Sequence, residues 1–158
     1  MKGEETFLRR LRQHRGILYK VAGLYTDRTE DRRDLEQEIV YQLWRAYPGF
    51  RADSSFSTWM YRVALNTALG RFRSRQPLLS FTGQLPERPA PGEASPQSEM
   101  LLAAIRRLPR ADRAVIALYL EDLSLAEIGD ILGITANHAG VKLHRAKRKL
   151  KNLLNPEP

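Results

Sequence analysis

Polar and apolar positions follow a helical period most clearly between residues 124 and 151. Ser124 and Glu127 form the S-x-x-E pattern that caps the start of a helix. Apolar residues then recur at helical spacing, at Leu125, Ile128, Ile131 and Leu132. Gly133 suits the left-handed residue that ends a helix, and Thr135 can cap the next one. That next helix has one apolar stripe, formed by Ala139, Leu143, Ala146 and Leu150. Two short helices joined by a tight glycine turn predict a helix-turn-helix, whose second helix enters the major groove of DNA.

The side of this second helix that lies opposite the apolar stripe is mostly basic. At about 100° per residue, this side carries Asn137, Val141, His144, Arg145 and Arg148, flanked by Lys142, Lys147, Lys149 and Lys151. Such a face can hold phosphates, Asn137 can pair with adenine, and Val141 can contact a thymine methyl group. The alternative is a solvated basic tail in which Val141 is merely exposed. The helix and turn that precede it favour DNA binding.

Three amphipathic helices are predicted in the first half of the chain, over residues 5–25, 31–47 and 55–75. Ser54 or Ser55 can cap the third. Acidic residues crowd the first half of the second helix, at Asp31, Asp34, Glu36 and Glu38. Negative charge there suits the positive end of the helix dipole. An acidic docking surface for a basic partner is compatible with the same pattern.

The third helix interleaves aromatic and basic residues around an asparagine. The residues concerned are Phe56, Trp59, Tyr61, Arg62, Asn66, Arg71, Arg73 and Arg75. Such a pattern suits single-stranded DNA, because bases stack on rings and arginine holds the backbone. The alternative is that Phe56 and Trp59 belong to the core. His14, in the first helix, is interpreted as a packed or surface residue, since no histidine has carboxylate partners at metal-ligand spacing.

A proline-rich stretch divides the chain into two lobes, residues 1–76 and 98–158, joined by an extended linker over 77–97. After the linker, Ser98 can cap a helix that runs to Leu108. Pro109 fits the first turn of the following helix. We expect that helix to point Val115, Leu118 and Tyr119 inward. No hairpin signal occurs between alternating runs, so the predicted fold is all-α.

Composition narrows the classes of function. The chain has 158 residues, a net charge of +8 and no cysteine. This charge favours nucleic acid or an anionic membrane surface as partner, and the lack of cysteine excludes thiolate metal sites and disulfides. There is no apolar run long enough to span a bilayer, and the N-terminus is too charged for a signal peptide. We therefore expect a cytoplasmic protein without a cofactor. An enzyme has little support, because there is no glycine-rich phosphate loop and no histidine–carboxylate constellation.

Several motifs together resemble the extracytoplasmic-function class of bacterial RNA polymerase sigma factors. The first lobe resembles sigma region two in DxxDLxQExxxxLW, beginning at Asp31, and in the FSTWMYRVALNTALGRFR run that begins at Phe56. The second lobe resembles region four in LPRADRAVIALYLEDLSLAEIGDILGI and VKLHRAKRKL. The resemblance covers nearly all of residues 5–154. A stand-alone helix-turn-helix regulator is the alternative, but it leaves the acidic helix and the aromatic–arginine helix unexplained.

The resemblance implies a role for each segment. Core polymerase would bind Asp31, Asp34, Leu35, Gln37, Glu38 and Trp44. The promoter minus-ten element would be recognised and melted by the loop and third helix, with Phe56, Trp59, Tyr61, Arg62, Asn66, Arg71 and Arg73. The minus-thirty-five element would be bound by Asn137, His138, Val141, Lys142, His144, Arg145 and Arg148. The linker would follow the RNA exit path, and an anti-sigma factor would hold the protein inactive.

The sequence departs from the family pattern at three positions. Leu65 stands where an arginine is common, Gly70 where an aspartate is common, and Gly140 where a lysine is frequent. Gly70 also weakens its helix by about 1 kcal/mol relative to alanine. The first two departures affect the expected minus-ten contacts, and the third removes one expected contact to DNA.

Overall fold

The amphipathic segments fold into helices that form two compact units, Met1–Ala90 and Pro91–Pro158. The structure is a computed structural model that describes residues 2–71, 85–87 and 95–156. Within these residues it is all-α, as predicted, and contains no strand. The first unit contains α1 (Lys2–Gln13), α2 (Arg15–Tyr25), α3 (Thr29–Ala46), a 3₁₀ turn (Tyr47–Gly49) and α4 (Phe56–Arg71).

The single helix predicted over residues 5–25 is wrong, because the chain breaks at His14 between α1 and α2. His14 has φ −116° and ψ 21°, outside the helical range. Its backbone N–H still bonds the carbonyls of Arg10 and Leu11, at 3.1 and 3.2 Å. Gly16, a poor helix former, lies just beyond the break. Apolar spacing continues through the break, so periodicity alone does not reveal it.

The core of the first unit lies among α2, α3 and α4, which pack against one another. Each helix contributes residues from one face. The fully buried large side chains include Leu18, Leu35, Ile39, Leu43, Met60 and Leu65. The family departure at Leu65 is therefore part of this core. From α1, Phe7 is buried with its ring edge-on to Trp44 at 5.1 Å and close to Tyr47 at 5.2 Å.

The start of α4 follows the predicted capping chemistry. Of the two candidate caps, Ser55 is the one used: its Oγ accepts a hydrogen bond from the backbone N–H of Thr58 at 3.1 Å. The predicted extension of this helix to residue 75 lies outside the described residues beyond Arg71.

The second unit is a four-helix arrangement of α5 (Pro96–Arg106), α6 (Arg110–Leu120), α7 (Leu125–Leu132) and α8 (Ala136–Leu154). The other three helices all pack against α8. Two local expectations are wrong. Ser95, not Ser98, caps α5, since Ser95 Oγ accepts the Ser98 N–H at 3.1 Å and Pro96 occupies the first turn. Tyr119 is 41% exposed, whereas Leu118 beside it is fully buried.

The helix-turn-helix is built as its sequence predicts. Ser124 and Glu127 form a reciprocal capping box, with N–H to oxygen distances of 3.1 and 3.0 Å. Gly133 ends α7 at φ +74°, and Thr135 Oγ1 caps α8 by accepting the His138 N–H at 3.0 Å. The turn also requires a second glycine that the sequence analysis missed. A Cβ on Gly129 would lie 2.6 Å from the Ile134 carbonyl oxygen.

The boundary between the units falls inside the predicted linker, residues 77–97. Two described parts of this segment, residues 85–87 and 95–97, contact or join helices. The Tyr19 hydroxyl donates a hydrogen bond to the Pro86 carbonyl, and α5 already begins at Pro96. The finer division into 1–76, 77–97 and 98–158 stays a prediction. Among the described residues, no helix combines the length and apolarity that crossing a membrane requires.

The close approach at Gly129 gives the first testable prediction. In Gly129→Ala, the new methyl group would meet backbone at the turn, and the turn would have to open. We expect a loss of about 1–3 kcal/mol in the stability of the second unit, typical of overpacking. Amide hydrogen exchange should show faster exchange along α7 and α8 and no change in α2–α4.

Gly16→Ala is the matched control, because nothing lies within 4 Å of the Cβ position at Gly16. That variant should leave α7 and α8 unchanged. Equal protection of α8 in wild type and Gly129→Ala would show that the turn tolerates a side chain.

Candidate polymerase and nucleic-acid interfaces

The packing of α8 decides which of its side chains face outward. Ala139 and Ala146 are fully buried and Leu143 is 7% exposed, so the opposite side of the helix faces solvent. The predicted duplex-contacting residues exposed there are Asn137, His138, Val141, His144, Arg145 and Arg148. Val141 is 42% exposed although it is aliphatic. Lys142 is half-buried at the margin of this surface. We call this set the α8 outer face.

Two of the flanking lysines turn back onto α6. Lys149 Nζ lies 2.8 Å from Asp112 Oδ2, a carboxylate that is largely buried. Lys147 Nζ lies 3.9 Å from the centre of the Tyr119 ring, which is cation–π distance. Lys147 and Lys149, which were predicted to flank the basic face, therefore also stabilise the packing of α8 on α6.

Gly140 faces α7 and not the α8 outer face. A Cβ at this position would lie 3.3 Å from Leu125 Cδ1. A lysine at this position would therefore project from the edge of α8 that is next to α7, and this chain has no side chain there. It leaves the centre of the α8 outer face intact.

In the first unit, α3 presents only part of the predicted docking set. Asp31 and Asp34 are exposed and Trp44 is 37% exposed. Leu35, which was predicted to bind polymerase, is buried in the core and supports the helix from within. Glu36 is also buried, so it adds no charge to the surface. We call the exposed set Asp31, Asp34 and Trp44 the α3 outer face.

Gln37 and Glu38 are half-buried, and each keeps one side-chain oxygen that is buried without a hydrogen-bond partner among the described residues. Burial raises the pKa of the Glu38 carboxyl, and the nearby Arg71 guanidinium partly offsets that rise. Arg71 also donates from Nη1 to the Asp31 carbonyl at 3.5 Å. Arg71 therefore serves the contact between α3 and α4.

The predicted minus-ten residues separate into a buried group and an exposed one. Tyr61 is 5% exposed, and burial raises its pKa to about 12. Its side chain therefore lies in the core, and its expected place near unpaired bases stays a prediction. Trp59 is buried as well. Asn66 is exposed, Arg62 is half-buried, and Arg73 lies outside the described residues.

Rings gather beneath the loop that joins the 3₁₀ turn to α4. Phe50, Phe56 and Trp59 form a triangle with centroid distances of 5.8, 5.1 and 5.4 Å. Phe50 and Phe56 keep part of their surface open to solvent. The loop residues Arg51, Ala52 and Asp53 are exposed above them. This arrangement offers ring surface, a cation and polar groups at one place.

Sequence analysis missed two side chains at this loop. Arg10 lies over both phenylalanine rings, and the His14 ring lies 5.3 Å from that of Phe56. Burial lowers the pKa of His14. Arg10 and His14 are four residues apart, which the sequence shows, but nothing in the sequence indicated that they contact residues 50–56. In the described part of the chain, no three histidine, aspartate or glutamate side chains come together as a metal site would require.

Comparison with known proteins agrees with both units. The family model for Sigma-70 region 2 matches residues 10–77, and that for Sigma-70, region 4 matches residues 98–150. The ECF RNA polymerase sigma factor SigW of Bacillus subtilis is 27% identical over 154 residues, covering 87% of this chain and 82% of SigW. The ECF RNA polymerase sigma-E factor of Haemophilus influenzae is 30% identical over 156 residues, with the same two shares.

Solved structures share the helical fold. CnrH in complex with the cytosolic domain of CnrY matches with a TM-score of 0.70 and 22% identity, over 98% of this chain and 91% of that one. RpoE in complex with the anti-sigma factor NepR from Bartonella quintana also has a TM-score of 0.70, at 17% identity, over 98% and 99%. Together with the sequence matches in both units, these findings mean that the chain belongs to the ECF class of RNA polymerase sigma factors.

Proposed function

We propose that this sigma factor docks on core RNA polymerase through the α3 outer face and reads promoter DNA with the loop before α4 and the α8 outer face. The observation that carries the proposal is that two separate helices, one in each unit, turn a chemically distinct surface outward. The α3 outer face is acidic and aromatic, whereas the α8 outer face is basic. A regulator that only bound duplex DNA would need the second surface alone.

Polymerase binding depends on Asp34 and Trp44. Exposed aromatic side chains are common anchors of protein interfaces, and charge at the rim sets the rate of association. Trp44 is already held by its edge contact with Phe7 and by stacking near Tyr47 at 6.5 Å. Its side chain therefore loses little freedom when a partner covers it.

The minus-thirty-five element is read in the major groove by the N-terminal half of α8. Asn137 and Val141 approach base edges, while Arg145 and Arg148 neutralise phosphates. The Lys149–Asp112 ion pair and the Lys147–Tyr119 contact hold this helix at a fixed angle on α6.

The minus-ten element is bound as a separated strand at the loop before α4. Exposed Asn66 and the accessible surfaces of Phe50 and Phe56 favour unpaired bases, because stacking surface is available only when bases are unpaired. Strand separation is then driven by binding free energy. The protein therefore needs no catalytic residue and acts as a non-enzymatic subunit in the cytoplasm, where polymerase works.

Regulation by an anti-sigma factor extends the proposal. RpoE was solved with the anti-sigma factor NepR, and CnrH with the cytosolic domain of CnrY. The α3 and α8 outer faces are the surfaces such a partner would cover to block polymerase and DNA. Residues 77–97 would follow the RNA exit path in the holoenzyme.

The α3 outer face predicts the effect of charge reversal. Asp34→Arg should weaken binding to core polymerase about tenfold, or about 1.4 kcal/mol. The substitution replaces an exposed carboxylate with a positive charge, which a basic partner surface would repel. Glu4→Arg, an equal change of charge at an exposed position on α1, should have little effect. Equilibrium titration of labelled core polymerase measures both, and unchanged affinity for Asp34→Arg would contradict the docking assignment.

The α8 outer face predicts that affinity and specificity separate. Arg148→Ala should weaken binding to every duplex and lower the salt slope by about 1. Asn137→Ala should cost about 1–3 kcal/mol at the preferred sequence and little elsewhere. Lys149→Ala should change neither property of DNA binding but destabilise the second unit, because it leaves Asp112 buried without its partner.

A binding screen over randomised minus-thirty-five duplexes measures all three α8 variants. The same sequence preferences in wild type and Asn137→Ala would remove Asn137 from base reading. A loss of salt slope in Lys149→Ala would mean that this lysine leaves Asp112 for a phosphate.

Exposure of Asn66 predicts a defect in melting. Asn66→Ala should reduce open-complex formation more than it reduces binding to closed duplex. The permanganate reactivity of unpaired thymines measures open-complex formation. An equal fall in both would indicate that Asn66 contacts the duplex only.

A further inference from the structure

Arg10, a cation on α1, contacts the rings at both ends of the loop before α4. The guanidinium carbon of Arg10, on α1, lies 5.6 Å from the centre of the Phe50 ring and 5.8 Å from that of Phe56. Both distances are within the range of cation–π attraction. Phe50 and Phe56 stand at the two ends of the loop formed by residues 51–55. A single side chain therefore contacts both ends of one loop.

His14 adds a second contact from the same region of the chain. It follows Arg10 by four residues, and its ring lies 5.3 Å from that of Phe56 at an angle of 32°. Burial lowers the pKa of His14, which favours the neutral form of the ring. The two phenylalanines are edge-on to each other, at 88°, and both contact Trp59. Phe50, Phe56 and Trp59 therefore each contact the other two rings at the base of the loop.

The backbone of the loop has a conformation that needs such support. Ala52 has φ +59°, in the left-handed region that residues with a Cβ rarely adopt. Strained conformations of this kind persist where the surroundings fix them, and they concentrate at functional sites. Ser55 also fixes the far end of the loop by capping α4. The tip of the loop, from Arg51 to Asp53, is exposed, while contacts hold both of its ends.

We propose that Arg10 and His14 are positioning residues that hold residues 51–55 in the shape that discriminates among unpaired minus-ten bases. The inference rests on the proposed function of this loop, but no feature of that function assigns a role to α1. Arg10 acts through the two phenylalanine rings. It restricts the conformations of the loop, so that the preferred bases bind a preformed surface. The loop then cannot rearrange to improve its contacts with other bases.

The test compares discrimination with affinity in the complete holoenzyme. The probes are labelled single-stranded oligonucleotides with a short randomised window, bound to core polymerase carrying wild-type or variant sigma factor. Arg10→Met keeps an unbranched apolar stem, shorter than that of arginine, and removes the planar cation. We expect it to lower the preference for the best strand over single-base variants about five- to tenfold, with unchanged core affinity and salt slope.

Three variants complete the design. Arg12→Met, at an exposed position on the same helix, should behave as wild type. His14→Gln should reduce discrimination in the same direction as Arg10→Met. Arg10→Lys keeps the charge but not the planar group, and it should restore discrimination only in part. Intrinsic fluorescence of the free chain, which reports Trp44 and Trp59 together, checks that each variant keeps the tryptophan environments of the wild type.

Two results would overturn the inference and leave the minus-ten assignment standing. One is wild-type discrimination in Arg10→Met. The other is a uniform loss of affinity for all strands, with the salt slope lowered by about 1 and full recovery in Arg10→Lys, which would make Arg10 a phosphate contact. If the wild-type holoenzyme itself shows no preference among strands, the proposed minus-ten function is wrong, and the inference fails with it.

Discussion

The burial of one apolar side on each short helix determines every exposed surface of this protein. Ala139, Leu143 and Ala146 must leave water, and they do so against α5, α6 and α7. Because the helical period is fixed, the opposite side of α8, which carries the basic residues, then faces solvent. The same constraint acts on α3, where burial of Leu35, Ile39 and Leu43 turns Asp34 outward. In both units, the surface proposed to function lies opposite the core.

Local sequence signals predicted the helix-turn-helix almost completely. Ser124, Glu127, Gly133 and Thr135 act through hydrogen bonds and backbone angles set within a few residues, so a pattern of letters contains the necessary information. The exposure of Val141 followed from the helical period in the same way. The all-α fold was predicted for the same reason, since the helical segments show the helical period in their own sequence.

Contacts between distant residues could not be predicted from the sequence. The Lys149–Asp112 ion pair joins residues 37 apart, and Arg10 on α1 contacts the rings of Phe50 and Phe56 at the loop before α4. Tyr61 was assigned to the DNA surface because aromatic residues serve both cores and stacking platforms, and only tertiary packing separates these roles. The break at His14 was missed because the apolar stripe continues through it.

Transcription in a purified system tests the central claim most directly. Core polymerase, supplied with this chain, should give discrete run-off transcripts from a genomic promoter library, and their start sites should follow a shared pair of minus-thirty-five and minus-ten sequences. Core polymerase alone should give none of these transcripts. If the chain bound duplex DNA with sequence preference but neither associated with core polymerase nor produced specific transcripts, it would be a stand-alone helix-turn-helix regulator, and the account of α3 and the loop before α4 would be wrong.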